Sequence, residues 1–384
     1  VKTLGSSPRS RAVLSNDWSD DFLADVRLSL VKDVGPRTRE SLLAAFGSAQ
    51  GVFAAGYETL LRVDGIGPKI AKRIAAAEQE IDVERELKIA AHHGINLIRI
   101  HSDDYPAGLD EIADPPPILY LRGKPTTHDR MAVGIVGTRR ASSYGRRATD
   151  LLATGLAKAG VTVVSGLARG IDTVAHQAAL AAGGRTIAVI AGGLLEITPV
   201  ENLALADRVA EQGFLVSESP PRRPAVAGSF PQRNRLISGL VLGVVVVEAD
   251  DRSGALITAR HAGEQGRDVF AVPGPIDQRT SRGCHRLIQD GAKLVTCVDD
   301  ILDELSSLIK PVETTTGSQL RHVAEIKLND IERRILDAID SSATQIDDIV
   351  ERANLPVHQV LSTVSVLEMR RLVRRLSGTQ VMRV

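Results

Sequence analysis

Ala132-Val133-Gly134-Ile135-Val136-Gly137-Thr138-Arg139-Arg140 and Thr162-Val163-Val164-Ser165-Gly166-Leu167-Ala168-Arg169-Gly170-Ile171-Asp172 are the stretches on which the reading of this chain turns. In each, a short β-branched run ends on glycine and gives way to an alanine-rich stretch of helical period. That alternation is the pattern of a parallel sheet with crossover helices. It continues downstream, predicting strands over residues 132–136, 162–165, 186–190, 214–217, 244–248, 268–271 and 293–295. The helices between them are expected over 144–159, 170–182, 202–212, 233–238 and 255–265. The strands are apolar on both faces, which suits a sheet covered by helices on both sides.

Outward from this block the texture changes. Residues 101–130 are rich in turn formers, with Pro115, Pro116 and Pro117 in succession. Before them, residues 20–90 have helical period punctuated by Gly-Pro pairs, and 1–19 read as a disordered lead. After the block, 309–325 reads as a linker, and 326–384 gives three helices and a strand pair around Ser377-Gly378-Thr379. The fold class expected is therefore α/β: a Rossmann-like parallel-sheet domain over 91–308, an N-terminal helical domain over 20–90 and a C-terminal winged-helix-like domain over 326–384.

Lys and Arg balance Asp and Glu, 47 against 47, so the total charge says nothing about a polyanionic partner. Its distribution does. No Asp or Glu falls between Ser219 and Val247, a stretch that carries Arg222, Arg223, Arg233 and Arg235. Arg139, Arg140, Arg146 and Arg147 form a second cluster, and Arg370, Arg371, Arg374 and Arg375 a third. Aromatics make up only 3%, which argues against a base-stacking platform and for a grip directed at phosphates. Cys284 and Cys297 have neither disulfide-framework numbers nor metal-ligand spacing, so no metal is expected. The polar start and the short apolar runs predict no membrane segment and a reduced, cytoplasmic setting.

Ligands of open parallel sheets bind beyond the carboxyl ends of the strands. There the sequence places Gly137-Thr138-Arg139, then Ser165-Gly166 with Arg169, then Arg233-Asn234-Arg235, and then Ser253-Gly254 with Thr258 and Arg260. Glycine admits close backbone approach, helix N-termini offer amides and arginine offers a forked cation. Several such turns on one rim suit a ligand with phosphates in a row. Asp172 reads as a helix cap, His176 as a packed histidine, and Glu248 as either a base or a loop anchor.

These motifs, with Phe230-Pro231-Gln232-Arg233-Asn234-Arg235, Ser253-Gly254-Ala255-Leu256-Ile257-Thr258-Ala259 and Val272-Pro273-Gly274, closely resemble those of the DprA/Smf family from about Tyr105 to Asp300. The resemblance implies a single-stranded DNA binder without catalytic activity or cofactor. It also implies that the protein shields incoming strands in natural transformation, loads the recombinase RecA and forms homodimers. Carried onto this sequence, Arg139, the Ser165-Gly166 turn, Arg169, and Arg233 with Arg235 would meet phosphates, and Thr258 and Arg260 stand where a further contact is expected. The chain departs from the pattern at Thr198-Pro199, where Tyr-Pro is usual, and at His285, where asparagine is usual.

In the N-terminal domain, Val63-Asp64-Gly65-Ile66-Gly67-Pro68-Lys69 with Lys72 and Arg73 looks like a helix-hairpin-helix, a secondary candidate for DNA contact through Gly65, Gly67, Lys69 and Lys72. The third C-terminal helix, over 356–369, is poor in basic residues, which argues against sequence-specific duplex reading. Two enzymatic alternatives compete. A nucleotide N-glycosidic hydrolase would need a Gly-Gly-x-Gly-Thr-x-x-Glu run, but the comparable loop lacks the glutamate and ends in Arg260. A dinucleotide-dependent oxidoreductase would need Gly-x-Gly-x-x-Gly after the first strand, where this chain has Arg139.

Overall fold

The structure is a computed structural model and describes residues 18–306, 312–313, 319–320, 330–340, 343–369, 372–376 and 379–383. Of the segments singled out in the sequence, residues 1–17, most of the linker, Arg370, Arg371, Ser377 and Gly378 lie outside the described residues.

Six helices open the chain: α1 (Asp20–Leu30), α2 (Pro36–Phe46), α3 (Ala49–Ala54), α4 (Tyr57–Leu60), α5 (Pro68–Glu80) and α6 (Val83–His92). Pro36 and Pro68 each begin a helix, where a missing amide proton costs nothing. The first five helices enclose one apolar cluster around Leu28, Leu42, Leu60 and Ile74. In contrast, α6 turns Val83, Leu87 and Ala90 into the core of the sheet domain, together with Val26 of α1.

The sheet domain runs β1 (Ile95–Arg99), α7 (Ala107–Asp110), β2 (Ile118–Gly123), β3 (Ala132–Gly137), α8 (Ser143–Lys158), β4 (Thr162–Ser165), α9 (Ile171–Ala181), β5 (Thr186–Val189), α10 (Leu203–Gln212), β6 (Phe214–Ser217), α11 (Ser229–Gly239), β7 (Gly243–Val247), α12 (Gly254–Glu264), β8 (Asp268–Ala271), α13 (Arg282–Gln289), β9 (Lys293–Leu294) and α14 (Val298–Ser306). Its nine strands lie in the order β1-β2-β6-β5-β4-β3-β7-β8-β9. From β6 to β9 every neighbouring pair is parallel. The pairs β1–β2 and β2–β6 are antiparallel, and these two edge strands are additions to the sequence reading. The helix expected over 233–238 is also longer, beginning at Ser229.

Side chains alternate faces as strand geometry requires. Val133, Ile135, Val245 and Val247 join a core with α8, α9 and α14, while Val136, Val244 and Val246 join the opposite core under α11 and α12. Buried on both faces, β3, β4, β5 and β7 have no solvent-facing polar positions, hence the near-continuous valine and isoleucine runs.

Beyond the sheet, β10 (Val312–Glu313) and β11 (Gln319–Leu320) form a short pair within the segment read as linker. The C-terminal domain comprises α15 (Asp330–Asp337), β12 (Thr344–Gln345), α16 (Ile346–Ala353), α17 (Val357–Met369), β13 (Val373–Arg375) and β14 (Gln380–Arg383). Its strands pair in the order β12-β14-β13, one strand more than expected, and a cluster including Ile335, Ile349, Val360 and Leu367 holds it together. Among the described residues no helix is long and apolar enough to cross a membrane.

His176 of α9 shows how tightly the sheet is covered. It is fully buried, and its Nδ1 lies 2.7 Å from the Thr186 hydroxyl, which donates to Val163 O. The imidazole is therefore the donor in that pair, and among the described residues its Nε2 has no partner. Burial, reinforced by the nearby Arg233 charge, holds its pKa down to about 3. A histidine depressed in the folded state contributes stability that is intact above its ordinary value and lost as pH falls toward the folded one. We expect urea midpoints to drop below about pH 6.5, at roughly 1.4 kcal/mol per pH unit from this group. His176→Gln should flatten that acid limb, and an unchanged limb would show that other groups control it.

Candidate nucleic-acid interface

Chain order reverses at β3. Strands β4, β5 and β6 extend to one side of it, and β7, β8 and β9 to the other. The crevice between β3 and β7 is where such sheets usually hold a nucleotide. Here the protein fills it. Glu248, just past β7, adopts a left-handed backbone (φ 53°) and its carboxylate accepts hydrogen bonds from the Ser142 amide, at 2.9 Å, and the Ser142 hydroxyl. Ser142 caps α8, so Glu248 supplies the negative charge that this helix end favours. The Glu248 carbonyl accepts from the Thr138 amide at 2.7 Å.

The next turn is self-satisfied as well. Asp172, buried at the start of α9, accepts from the amides of Gly166 (3.0 Å) and Ala168 (3.3 Å). Burial pushes its carboxyl above the usual range, and Arg233 pulls it back. The amides that the sequence offered for phosphates at Ser165-Gly166 are thus partly taken by this aspartate. Ser165 is fully buried and donates to Ile135 O at 2.6 Å. Gly137 lies where a Cβ would come within 1.9 Å of Val247 O, so it is a packing glycine at the β3–β7 contact.

Arg233 lies beneath the ends of β4 and β5. Only 5% exposed, its guanidinium donates to Gly166 O at 2.7 Å and to Val189 O. A Cβ at Gly166 would sit 2.4 Å from the guanidinium, so any larger residue there would have to displace Arg233 from these carbonyls. Burial lowers the Arg233 pKa to about 10, with Asp172 opposing and Arg139 adding to the shift, so the group remains charged at neutral pH. Arg235 is equally enclosed, with a side chain 5% exposed, and bonds Asp114 and Glu218 at 2.7 Å each. Burial pushes the Glu218 carboxyl up while Arg235 pulls it down.

The expected rim therefore divides. Arg233 and Arg235 are internal braces and not surface cations, because both guanidinium groups are buried and bonded within the protein, although Arg233 Nε and Arg235 Nη1 find no hydrogen-bond partner among the described residues. Thr258 is also internal. Asn234 is buried and donates to Gly254 O at 3.2 Å, tying α11 to the start of α12. Ser253 caps α12, and Gly254 borders open space. Arg260 is exposed beside Glu264, about 9 Å along α12 from Gly254.

Arg139 and Arg169 reach solvent. Arg169 pairs with Glu201, but both are more than half exposed, and such a pair is weak and easily exchanged. Arg139 projects over the Phe230 ring, 5.1 Å from its centroid. Phe230 in turn lines a small cleft at the ends of β4 and β5, with Gly166, Gly192, Thr198, Ala225 and Arg233. Phe230 stands in a motif read from the sequence, but its pairing with Arg139 joins residues about 90 apart and has no local signal. In the N-terminal hairpin, Gly65 and Gly67 are exposed and Lys72 is exposed with no ion pair among the described residues, but Lys69 and Arg73 are drawn onto Asp33. Among the described residues no cluster of three or more metal-ligating side chains occurs.

A parallel sheet whose nucleotide crevice is filled by its own glutamate, with arginines on the neighbouring strand ends, defines a Rossmann-like protein. The family model described as "DNA recombination-mediator protein A" matches residues 96–306, the "DprA winged helix domain" matches 321–379 and the "SAM-like Helix-hairpin-helix tandem" matches 26–79. The chain belongs to the DprA/Smf family of DNA-processing proteins. It is 45% identical over 239 residues to DNA processing protein DprA of Bacillus subtilis, covering 61% of this chain and 80% of the relative. It resembles the X-ray structure of DprA from Streptococcus pneumoniae with a TM-score of 0.64 and 36% identity, covering 75% of this chain and 98% of that one. It also resembles DprA from Helicobacter pylori, described by its single-stranded DNA binding mode, with a TM-score of 0.51 and 30% identity, covering 57% of this chain and 99% of that one.

The division of the arginines sets an expectation for stability. Removing a buried charge leaves its partners uncompensated, at a cost of about 3–5 kcal/mol. Arg235→Ala should show that loss in urea unfolding, whereas the exposed Arg139→Ala should stay within about 0.5 kcal/mol of the parent. Equal stability of both variants would contradict the assignment of Arg235 as a brace.

Proposed function

We propose that the carboxyl edge of the sheet, centred on Arg139, Phe230, Arg169 and the β4–β5 cleft, holds single-stranded DNA by its phosphates and performs no chemistry on it. The observation that carries this reading is the exposed Arg139 guanidinium, held over Phe230 above a floor of Gly166 and Arg233. It can meet a phosphate while the ring offers an apolar face to a base. Arg233 adds a fixed positive charge from below without touching the ligand. Thr138, Ser253 and Gly254 supply polar backbone and hydroxyl groups farther along the same edge. Shielding the strand, handing it to RecA, pairing as a homodimer and acting in the cytoplasm are the parts of this role that the family resemblance implies.

The hydrolase alternative asks for a free carboxylate at the edge. Glu248 is engaged by Ser142, and Asp172 is buried under its own loop, so neither is placed as a base facing solvent. Arg139→Ala should weaken single-strand binding with little sequence dependence and make the salt slope shallower by about 0.7, the loss of one contact. Unchanged affinity and slope in fluorescence anisotropy would remove Arg139 from the site. Incubation with nucleoside monophosphates should release no free base. Release that disappears in Glu248→Gln would establish the hydrolase instead.

A further inference from the structure

A second cationic cleft lies along α6, within the stretch between residue 79 and residue 96 that separates the matched family segments. It encloses about 460 Å³ between α6 and the loop after β6, and Arg85, Lys88, His92, His93 and Arg222 line it. All five side chains are exposed. Two acidic residues also border it, and each has a local partner. Asp82 caps α6 through the Arg85 amide at 2.9 Å, and Glu84 pairs with Lys88 at 3.3 Å. Among the described residues Arg85, Arg222 and Arg223 form no ion pair within 4.0 Å. All three act on the half-buried Glu86 behind them, which marks how closely their charges converge.

This cleft is joined to the strand-end site by a fixed piece of backbone. The loop carrying Arg222 is pinned to the turn after β5 by the Gly193 amide on Arg223 O, at 2.7 Å, and the Leu195 amide on Pro221 O, at 2.9 Å. Three residues beyond Arg222, Ala225 lines the strand-end cleft beside Phe230 and Arg233. At most about 11 Å of chain separates the two positions. A polyanion leaving Arg139 and Phe230 across Ala225 therefore meets the exposed Arg223 and Arg222 next, and then the exposed row of α6. The histidines are edge-to-face at 5.0 Å and present ring surfaces at its far end. Aromatic and imidazole faces accept unstacked bases.

We propose that the cleft between α6 and the loop after β6 is a second subsite for the sugar–phosphate backbone of single-stranded DNA, continuous with the strand-end site. The proposal rests on the function proposed above, and it makes the helix that links the N-terminal domain to the sheet part of the DNA track. Its consequence is a dependence on length: a short strand fills the sheet edge alone, and only a longer one reaches α6.

The test compares the full chain and its Arg85→Ala/Arg222→Ala variant on labelled oligothymidylates of about 6 and about 30 nucleotides, across a salt series. Affinity for the long strand should fall about tenfold and its salt slope should become shallower by about 1.4, for two contacts, with short-strand affinity unchanged within about twofold. Arg85→Lys/Arg222→Lys should keep long-strand affinity within about threefold, separating charge from folding. No loss on the long strand, or equal loss at both lengths, would overturn the proposal. Arg139→Ala run in parallel reports on the sheet edge by itself. If it leaves short-strand binding intact, the strand-end reading fails, whatever the α6 variant does.

Discussion

The strand-end site depends on one buried cation. The Arg233 guanidinium passes beneath two strand ends and donates to the carbonyls of Gly166 and Val189, 67 and 44 residues away in the chain. A charge so enclosed must be hydrogen-bonded and electrostatically compensated, or the fold loses several kcal/mol. Its surroundings meet part of that demand, with carbonyls at the strand ends, Asp172 as an opposing charge and a glycine at 166, where a Cβ would come 2.4 Å from the guanidinium, while Nε has no hydrogen-bond partner among the described residues. The turn after β4, the start of α9 and the placement of α11 are thus all set by the same group. Phe230 is on that helix, so the position of Arg139 over its ring follows from the brace below.

Charge in this domain is therefore layered. The inner layer, Arg233 and Arg235 with Asp172, Asp114 and Glu218, holds loops in place. The outer layer, Arg139, Arg169 and the arginines of the loop after β6, remains within reach of solvent. Coulomb interactions with the inner layer are long-lived and little screened, while those of the outer layer are governed by salt. A neutral chain can present a locally positive edge in this way because acidic groups such as Asp25, Asp33, Asp129 and Asp207 are spent on partners elsewhere.

The parallel core was legible because doubly buried strands leave an unbroken apolar record, and the glycine-ended turns gave their direction. The strands β1 and β2 were not. Ile95–Arg99 is separated from Ile118–Gly123 by the turn-rich stretch with its three prolines, which masks a hairpin closed over a long excursion. The site was legible as a set of strand ends but not as a set of roles. Arginine in a sequence suggests an exposed side chain, and burial of Arg233 and Arg235 is decided by acceptors brought from distant segments. Likewise, nothing local announces that Glu248 and Asp172 would claim the amides of the glycine turns. The recognition motifs hold structural and exposed residues side by side, and only coordinates separate Arg139 from Arg235.

Glu248 has a wider consequence. Its carboxylate stands at the α8 helix end, where the phosphate of a mononucleotide would rest, and as part of the covalent chain it need not be recruited from solution. A free nucleotide would have to displace this carboxylate from Ser142 to use the crevice that related sheets offer. On the function proposed above, occupancy of the neighbouring edge would then follow how many cations a polymer engages at once and not the metabolic state that sets nucleotide levels.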